Sequence, residues 1–328
     1  MSRRWFIVCT VIAFAFVSAA AGCAKVSNSA LVPRPGIAGI REAPQSLGTW
    51  TTKAPMPTAR GTLATGVVNG IIYAVGGGYY VPFNTNEAYD PVTDTWSTKA
   101  PMPTPRAGLA IGVINGILYA VGGCCDVNGY PYNTVEAYDS VTDTWTTKAP
   151  MPTPRSDLAA GVVNGILYAV GGGNNQNFTL ATVEAYDPVT DSWTTKASMP
   201  AARTQLAVGV VNGLLYAVGG HTLHYPTIVE AYDPSTDSWT TRAPMSTKRY
   251  GPAAVSLNGR LYAVGGNNGT SLSSVEAYNP ATNTWAAKPS MPTARWLLAA
   301  SVVGGKLYAI GGQTGHRPLN TVEAYSKP

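Results

Sequence analysis

Histidine is scarce in this chain of 328 residues, with three copies, and cysteine nearly so, with four. Cys9 and Cys23 fall at the N-terminus, so only the adjacent Cys124 and Cys125 lie in the body of the chain, and no disulfide framework holds the fold. That adjacent pair is read either as a vicinal disulfide or as a plain loop pair. Charge is thin as well: 12% of residues are Asp, Glu, Lys or Arg against 45% hydrophobic, which excludes a disordered chain. Without Arg3 and Arg4 of the leader described below, 20 basic and 17 acidic residues remain, a net +3. Twelve of those basic residues recur at two fixed repeat positions, so no basic face forms and nucleic-acid binding is excluded. Missing, too, is an apolar run long enough to span a bilayer as a helix; the longest, near the N-terminus, covers roughly a dozen residues.

That run sits in MSRRWFIVCTVIAFAFVSAAAGCAK, between a basic start and a cluster of small residues, which is the layout of an export leader over residues 1–22. AAGC, ending at Cys23, resembles the lipobox of bacterial lipoproteins and implies acylation of Cys23, although Ala20 stands where that motif prefers leucine. Cleavage after Ala19-Ala20-Ala21 is the alternative, and SRRWFI is similar to a twin-arginine export motif. Either route places the chain outside the cytoplasm, in a bacterial cell envelope on the periplasmic side or at the cell surface, and a lipid would be its only membrane contact. Residues 23–48 lack helix or strand periodicity and read as a tether.

From residue 49 one unit repeats. Trp50, Trp96, Trp145, Trp193, Trp239 and Trp285 keep step with Arg60, Arg106, Arg155, Arg203, Arg249 and Arg295, and with six glycine pairs, each followed by Glu-Ala-Tyr. Each unit spells four strands, a to d. Strand a, such as LAAGVV, meets strand b, such as ILYAVGG, across Asn-Gly, the pair best suited to a two-residue hairpin. Strand c, TVEAYD, turns through Asp-Pro-x-Thr-Asp into strand d, TWTTK. A four-stranded sheet that is apolar on both faces cannot stand alone, so the sheets stack in a ring. Small residues in strand a place it innermost. Trp50 belongs to a strand d with no a, b or c before it, while TVEAYSKP ends just after a strand c; the two fragments are expected to complete one blade and remove the sheet edges. The expected architecture is an all-β, six-bladed propeller over residues 49–328, four antiparallel strands per blade, closed by an N-terminal outer strand. The recurring Trp, Tyr, Arg and Glu are read as structural, with a buried Trp and one compensated Arg–Glu pair in each blade.

The paired glycines, the Tyr that follows the Asn-Gly, the YDP turn and the Trp-to-Arg segment together resemble the Kelch repeat over about residues 49–325. The resemblance implies a six-bladed Kelch propeller, on which both binding modules and enzymes have been built.

Copies differ mainly in the b-to-c loops and in the two residues after each template Arg, and an up-and-down meander brings both to one rim. Loops on a rigid scaffold are where recognition normally sits. After the Arg come Asp157, Gln205, Tyr250 and Trp296 among others; after the glycine pairs come His221, Asn267 and Gln313. The loops add Tyr79, Tyr80, Asp126, Tyr130, Asn174, His224, His316 and Arg317. Aromatic plates with planar amides suit a sugar or an extended peptide. In peptide-binding Kelch domains the same two positions carry many contacts, often through arginine; this rim offers amides, aromatics and histidine instead. Asp126 and Asp157 are the only propeller acids outside the template and are the candidates for an acid/base pair. His221, His224 and His316 have no carboxylate at ligand spacing, so no metal and no cofactor is expected. The sequence therefore reads first as an exported, lipid-anchored, monomeric, non-catalytic binding module that recognises a glycan or peptide on one rim, with the question of an enzyme left open. A carbohydrate-active enzyme similar to the exported sialic-acid mutarotases, and a structural envelope protein, are the alternatives.

Overall fold

The structure, a computed structural model, describes residues 48–78, 81–125, 129–222 and 227–327. Asn164 and Gly165 both take positive φ, 51° and 78°, the twist that keeps two strands paired across a two-residue turn. Ala159–Val163 therefore returns as Ile166–Val170, with Ala159 opposite Val170 and Val163 opposite Ile166. Val183–Asp187 and Ser192–Lys196 extend the antiparallel sheet outward, giving the order a, b, c, d. Five such sheets follow in sequence. The sixth takes Ala299–Val303, Lys306–Ile310 and Val322–Ser326 from one end of the chain and Thr49–Lys53 from the other, with Trp50 opposite Tyr325. The ring closes as the sequence implied, and the described residues contain no helix.

Each of six apolar clusters joins residues of two neighbouring blades. Ala110, Val121 and Val135 of blade 2, for example, pack with Leu167, Ala169 and Tyr186 of blade 3. No blade has a core of its own, so the burial that stabilises one sheet is supplied by the next.

The tryptophans depart from expectation. They are half-buried rather than buried, because strand d is the outer edge of its sheet. Trp193 leans on its cross-strand partner Tyr186 with ring centroids 5.2 Å apart, and its indole N–H donates to the Ala149 carbonyl of the preceding blade at 2.9 Å. The Tyr186 hydroxyl donates to Asp191 Oδ1 at 2.6 Å, and the same oxygen accepts the Ala149 N–H at 2.9 Å. Trp and Asp thus form a two-point latch onto the exit of the neighbouring strand d. Asp94, Asp143, Asp237 and, in blade 5, Asn283 repeat the acceptor. At the sixth junction Gly48 stands in the Asp position and Pro289, which has no N–H, in the Ala position; only the Trp50 indole bond to the Pro289 carbonyl, 2.8 Å, remains.

The template arginines are fully buried. Arg155 donates to Glu184 Oε2 at 2.9 Å, to the Ala169 carbonyl on strand b at 3.1 Å and to the Thr182 carbonyl ahead of strand c at 2.8 Å. Its own carbonyl accepts the Gly123 N–H of the preceding blade at 3.0 Å. That approach explains the glycine pair: a Cβ on Gly122, whose φ is +61°, would stand 2.7 Å from the Arg155 oxygen. All six Arg–Glu pairs form, at 2.6–3.0 Å.

In four blades a threonine hydroxyl two residues before the Arg completes the Glu, as Thr153 does for Glu184 at 2.7 Å. Blade 5 uses the N–H groups of Ser246 and Thr247, at 2.8 and 3.1 Å. Blade 4 has Ala201 there, which offers its backbone N–H but no hydroxyl, and burial holds Glu230 above the usual carboxylate range, with Arg203 and that N–H opposing the shift only in part. Ala201→Thr is expected to stabilise the chain by about 1 kcal/mol, the net value of one hydrogen bond, and to lower the Glu230 pKa. Urea denaturation checks this, and an unchanged midpoint counts against a missing bond in blade 4.

Candidate functional site

The two variable positions of each copy prove to be partners. Gly61 bridges Gly78, Ala107 bridges Cys124, Ser156 bridges Gly173, Thr204 bridges His221, Tyr250 bridges Asn267 and Trp296 bridges Gln313. Variation in the after-Arg segment and in the b-to-c loop therefore meets at one rim, as the meander required.

Inside these bridges, the second residue after each Arg forms a closed circle. The Gly108 N–H donates to the Thr62 carbonyl, Asp157 to Gly108, Gln205 to Asp157, Gly251 to Gln205, Leu297 to Gly251 and Thr62 to Leu297, all at 2.8–2.9 Å. Every member has positive φ, from 50° at Gln205 and Leu297 to 63° at Gly108. The angle is set by the circle and not by the residue, since Leu297 and Asp157 adopt it alike. With backbone groups used up around the circle, its members present the side chains of Thr62, Asp157, Gln205 and Leu297 to the axial mouth. Leu63, Leu109, Leu158, Leu206 and Leu298 line the same depression, a cavity of about 90 Å³.

Asp157 is half-buried in this circle. Its carboxylate lies over Gly108, where a Cβ would approach Oδ1 to 2.8 Å. Desolvation by the surrounding apolar wall pushes it up to about 6. Among the described residues it has neither a cation nor a hydrogen-bond donor as partner. It also lines a second cavity of about 160 Å³ with Phe178, Asn174, Asn175 and Cys124. A third of about 390 Å³, lined by Tyr130, Pro131, Pro152, Pro154 and Asn174–Gln176, shares Pro131, Asn174 and Asn175 with the second.

Aromatic side chains run around the other part of the rim. Phe178 meets His221 edge-on at 5.2 Å, His221 meets Tyr250 at 5.7 Å, and Tyr250 meets Trp296 at 5.2 Å, so one edge-to-face series crosses blades 3 to 6. Such pairs add about 0.5–1.5 kcal/mol each beyond burial and fix ring orientation. The Trp296 indole donates to the Gly315 carbonyl at 3.4 Å.

Of the residues singled out in the sequence, Asp157, Gln205, His221, Tyr250, Trp296 and Gln313 come together at this rim. Asn267 is also there but is buried, its Oδ1 accepting the Gly269 N–H at 2.7 Å in a turn. His316 and Arg317 are exposed on the small hairpin made by Gln313–Thr314 and Arg317–Pro318. Tyr79, Tyr80, Asp126, His224 and Cys23 lie outside the described residues, so the pairing of Asp126 with Asp157 does too. Cys124 and Cys125 are joined as a vicinal disulfide. Among the described residues no three His, Cys, Asp or Glu side chains are grouped to hold a metal. Phe178 was not anticipated; it is 69% exposed, and a phenylalanine directly after the amide run Asn174–Asn177 was the available signal.

Because the folded Asp157 binds its proton more tightly than an unfolded aspartate, ordinarily near 3.9, the folded chain holds the extra proton between about pH 4 and about pH 6. Its contribution to stability therefore falls as pH rises through that window. Asp157→Asn should flatten this part of the profile and leave the variant relatively more stable at pH 7 than at pH 4. Denaturation midpoints of both proteins at pH 4, 5, 6 and 7 measure it; parallel profiles would place the carboxylate in water.

Residues 45–220 match the family model described as the KLHDC2/KLHL20/DRC7 Kelch-repeats domain, and residues 202–246, 248–292 and 297–327 match the Kelch motif. No curated protein sequence matches the chain. A solved structure described as the structure of YjhT superposes with a TM-score of 0.73 at 18% identity, covering 82% of this chain and 95% of that one, a likeness of fold.

Proposed function

Since the chain belongs to the Kelch-repeat family, whose propeller it forms, we propose that it is a non-catalytic recognition module whose working face is the rim of bridged variable residues. It takes an extended glycan or peptide there, outside the cytoplasm, while a lipid on Cys23 holds it to the envelope membrane.

The observation that carries this reading is the aromatic series from Phe178 to Trp296 set against amide side chains on the same rim. Aromatic faces remove apolar ligand surface from water without a large entropy cost, and amides supply donors and acceptors to a polymer backbone. The axial cavity and the one beside it, about 90 and 160 Å³, fall below the roughly 300–1,000 Å³ of sites that engulf a small molecule, and the outer one, about 390 Å³, only just enters that range. They suit a head group projecting from a larger ligand better than a whole substrate.

A glycan and peptide array probed with the full-length protein identifies the ligand class. Tyr250→Ala combined with Trp296→Ala should lower affinity for the selected ligand at least tenfold at unchanged circular dichroism. Val141→Ser, on an exposed turn of the opposite rim, should leave affinity intact. Retained binding by the double variant would move the working face elsewhere.

Anchoring has its own test. Cys23→Ala should shift the protein from the membrane to the soluble fraction and remove the acyl mass from the mature N-terminus; unaltered fractionation and mass would mean that Cys23 carries no lipid.

A further inference from the structure

The carboxylate of Asp157 is the one charged group on the axial circle, and nothing in the described protein neutralises it. Backbone conformation does not call for it, because Thr62, Gln205 and Leu297 hold the same φ at the equivalent positions. Gly108 leaves room for it, and the leucine collar dries it. A desolvated carboxylate without a donor is a costly arrangement that a cationic group from outside would relieve.

The surroundings continue from this point in one direction. The axial cavity and the second cavity meet at Asp157, and the second and third share Pro131, Asn174 and Asn175. Together they form a track that leads from the axis outward between blades 2 and 3. At its inner end stand the carboxylate and the exposed ring of Phe178, a pairing that suits a guanidinium or ammonium group through an ion pair and a cation–π contact. Its outer end is walled by Tyr130, Pro152 and Pro154, with the amides of Asn174–Gln176 along one lip. Amides pair with an extended peptide backbone and proline rings accept aliphatic side chains, whereas sugar hydroxyls turned toward prolines would lose their hydrogen bonds to water unreplaced.

We infer that the track takes an extended peptide and seats one arginine or lysine side chain on Asp157 beside Phe178. This rests on the rim reading given above and narrows it to a basic peptide. The arrangement inverts the charge preference of a rim furnished with arginines.

The test uses the full-length protein and defined probes in isothermal titration: acetyl-alanyl-arginyl-alanine amide, its lysyl and citrullinyl counterparts, a glucosamine tetramer and calcium chloride. Citrulline keeps the shape of arginine without its charge. The arginyl or lysyl peptide is expected to bind at least tenfold more tightly than the citrullinyl one, the scale of one hydrogen-bonded charge. Asp157→Asn should erase that difference, and Phe178→Ala should weaken the basic peptide several-fold without erasing it. Equal affinities of basic and citrullinyl peptides overturn the proposal, as does a difference that survives Asp157→Asn. Asp157-dependent binding of the glucosamine tetramer or of calcium in place of the basic peptides overturns it too. If no basic peptide binds while an array ligand still depends on Tyr250 and Trp296, the cation site falls and the rim reading stands. If the array ligand ignores those aromatics, the rim reading falls as well.

Discussion

In every blade an arginine is sealed from water, and its charge must be answered inside the protein. Each guanidinium meets a glutamate of its own blade, five of them also reach carbonyls of or beside both strands b and c while Arg60 reaches the Ala74 carbonyl of strand b alone, and each arginine carbonyl receives an N–H from the blade before it. Removing one partner of such a pair strands the other in an apolar setting, typically at about 3–5 kcal/mol, so the pair tolerates little movement. Six of them fix where each strand a begins relative to the previous b-to-c loop. The circle at the axial mouth, two residues further on, inherits its geometry from that registration.

Because the circle satisfies its own backbone groups, side chains at its six positions are released from structural duty. Threonine, glycine, aspartate, glutamine, glycine and leucine occupy equivalent sites at nearly the same φ. The two glycines leave space for the residues that follow around the circle, Gly108 for the Asp157 carboxylate and Gly251 for Leu297 and Trp296. Scaffold and variable rim are thus separated by only two residues in sequence, with Arg155 belonging to the first and Asp157 to the second.

Much of this was legible in the sequence because repetition supplies its own control. Asn164-Gly165 reads as a hairpin in any one copy, and six copies of Arg with Glu read as a compensated pair although they lie about 30 residues apart. Closure by Trp50 followed from counting strands. What repetition hides is anything set between blades: that Asp191 accepts from a neighbour's backbone, that Trp193 is half-buried on an outer strand, and that Asp157 sits at positive φ over Gly108. Those depend on the spacing of two sheets, which no single unit encodes. Phe178 escaped for the opposite reason, since a residue that occurs once has no copy to be compared with.

Five junctions carry the double latch of tryptophan and Asp or Asn, and the one between blades 5 and 6 carries the indole bond alone. The substitution is matched along the backbone, for Pro289 offers no donor where Gly48 offers no acceptor, while the Tyr325 hydroxyl goes without the carboxylate or amide oxygen that its five counterparts use. Of the six latches this one holds by the fewest bonds, and it lies where the strand from the N-terminus meets blade 5. Local opening of a closed structure begins where the fewest bonds must be given up. The protein can be regarded as a linear stack of six sheets with a clasp, and transient release of the clasp would leave the stack intact, with its other five interfaces holding until it closes again.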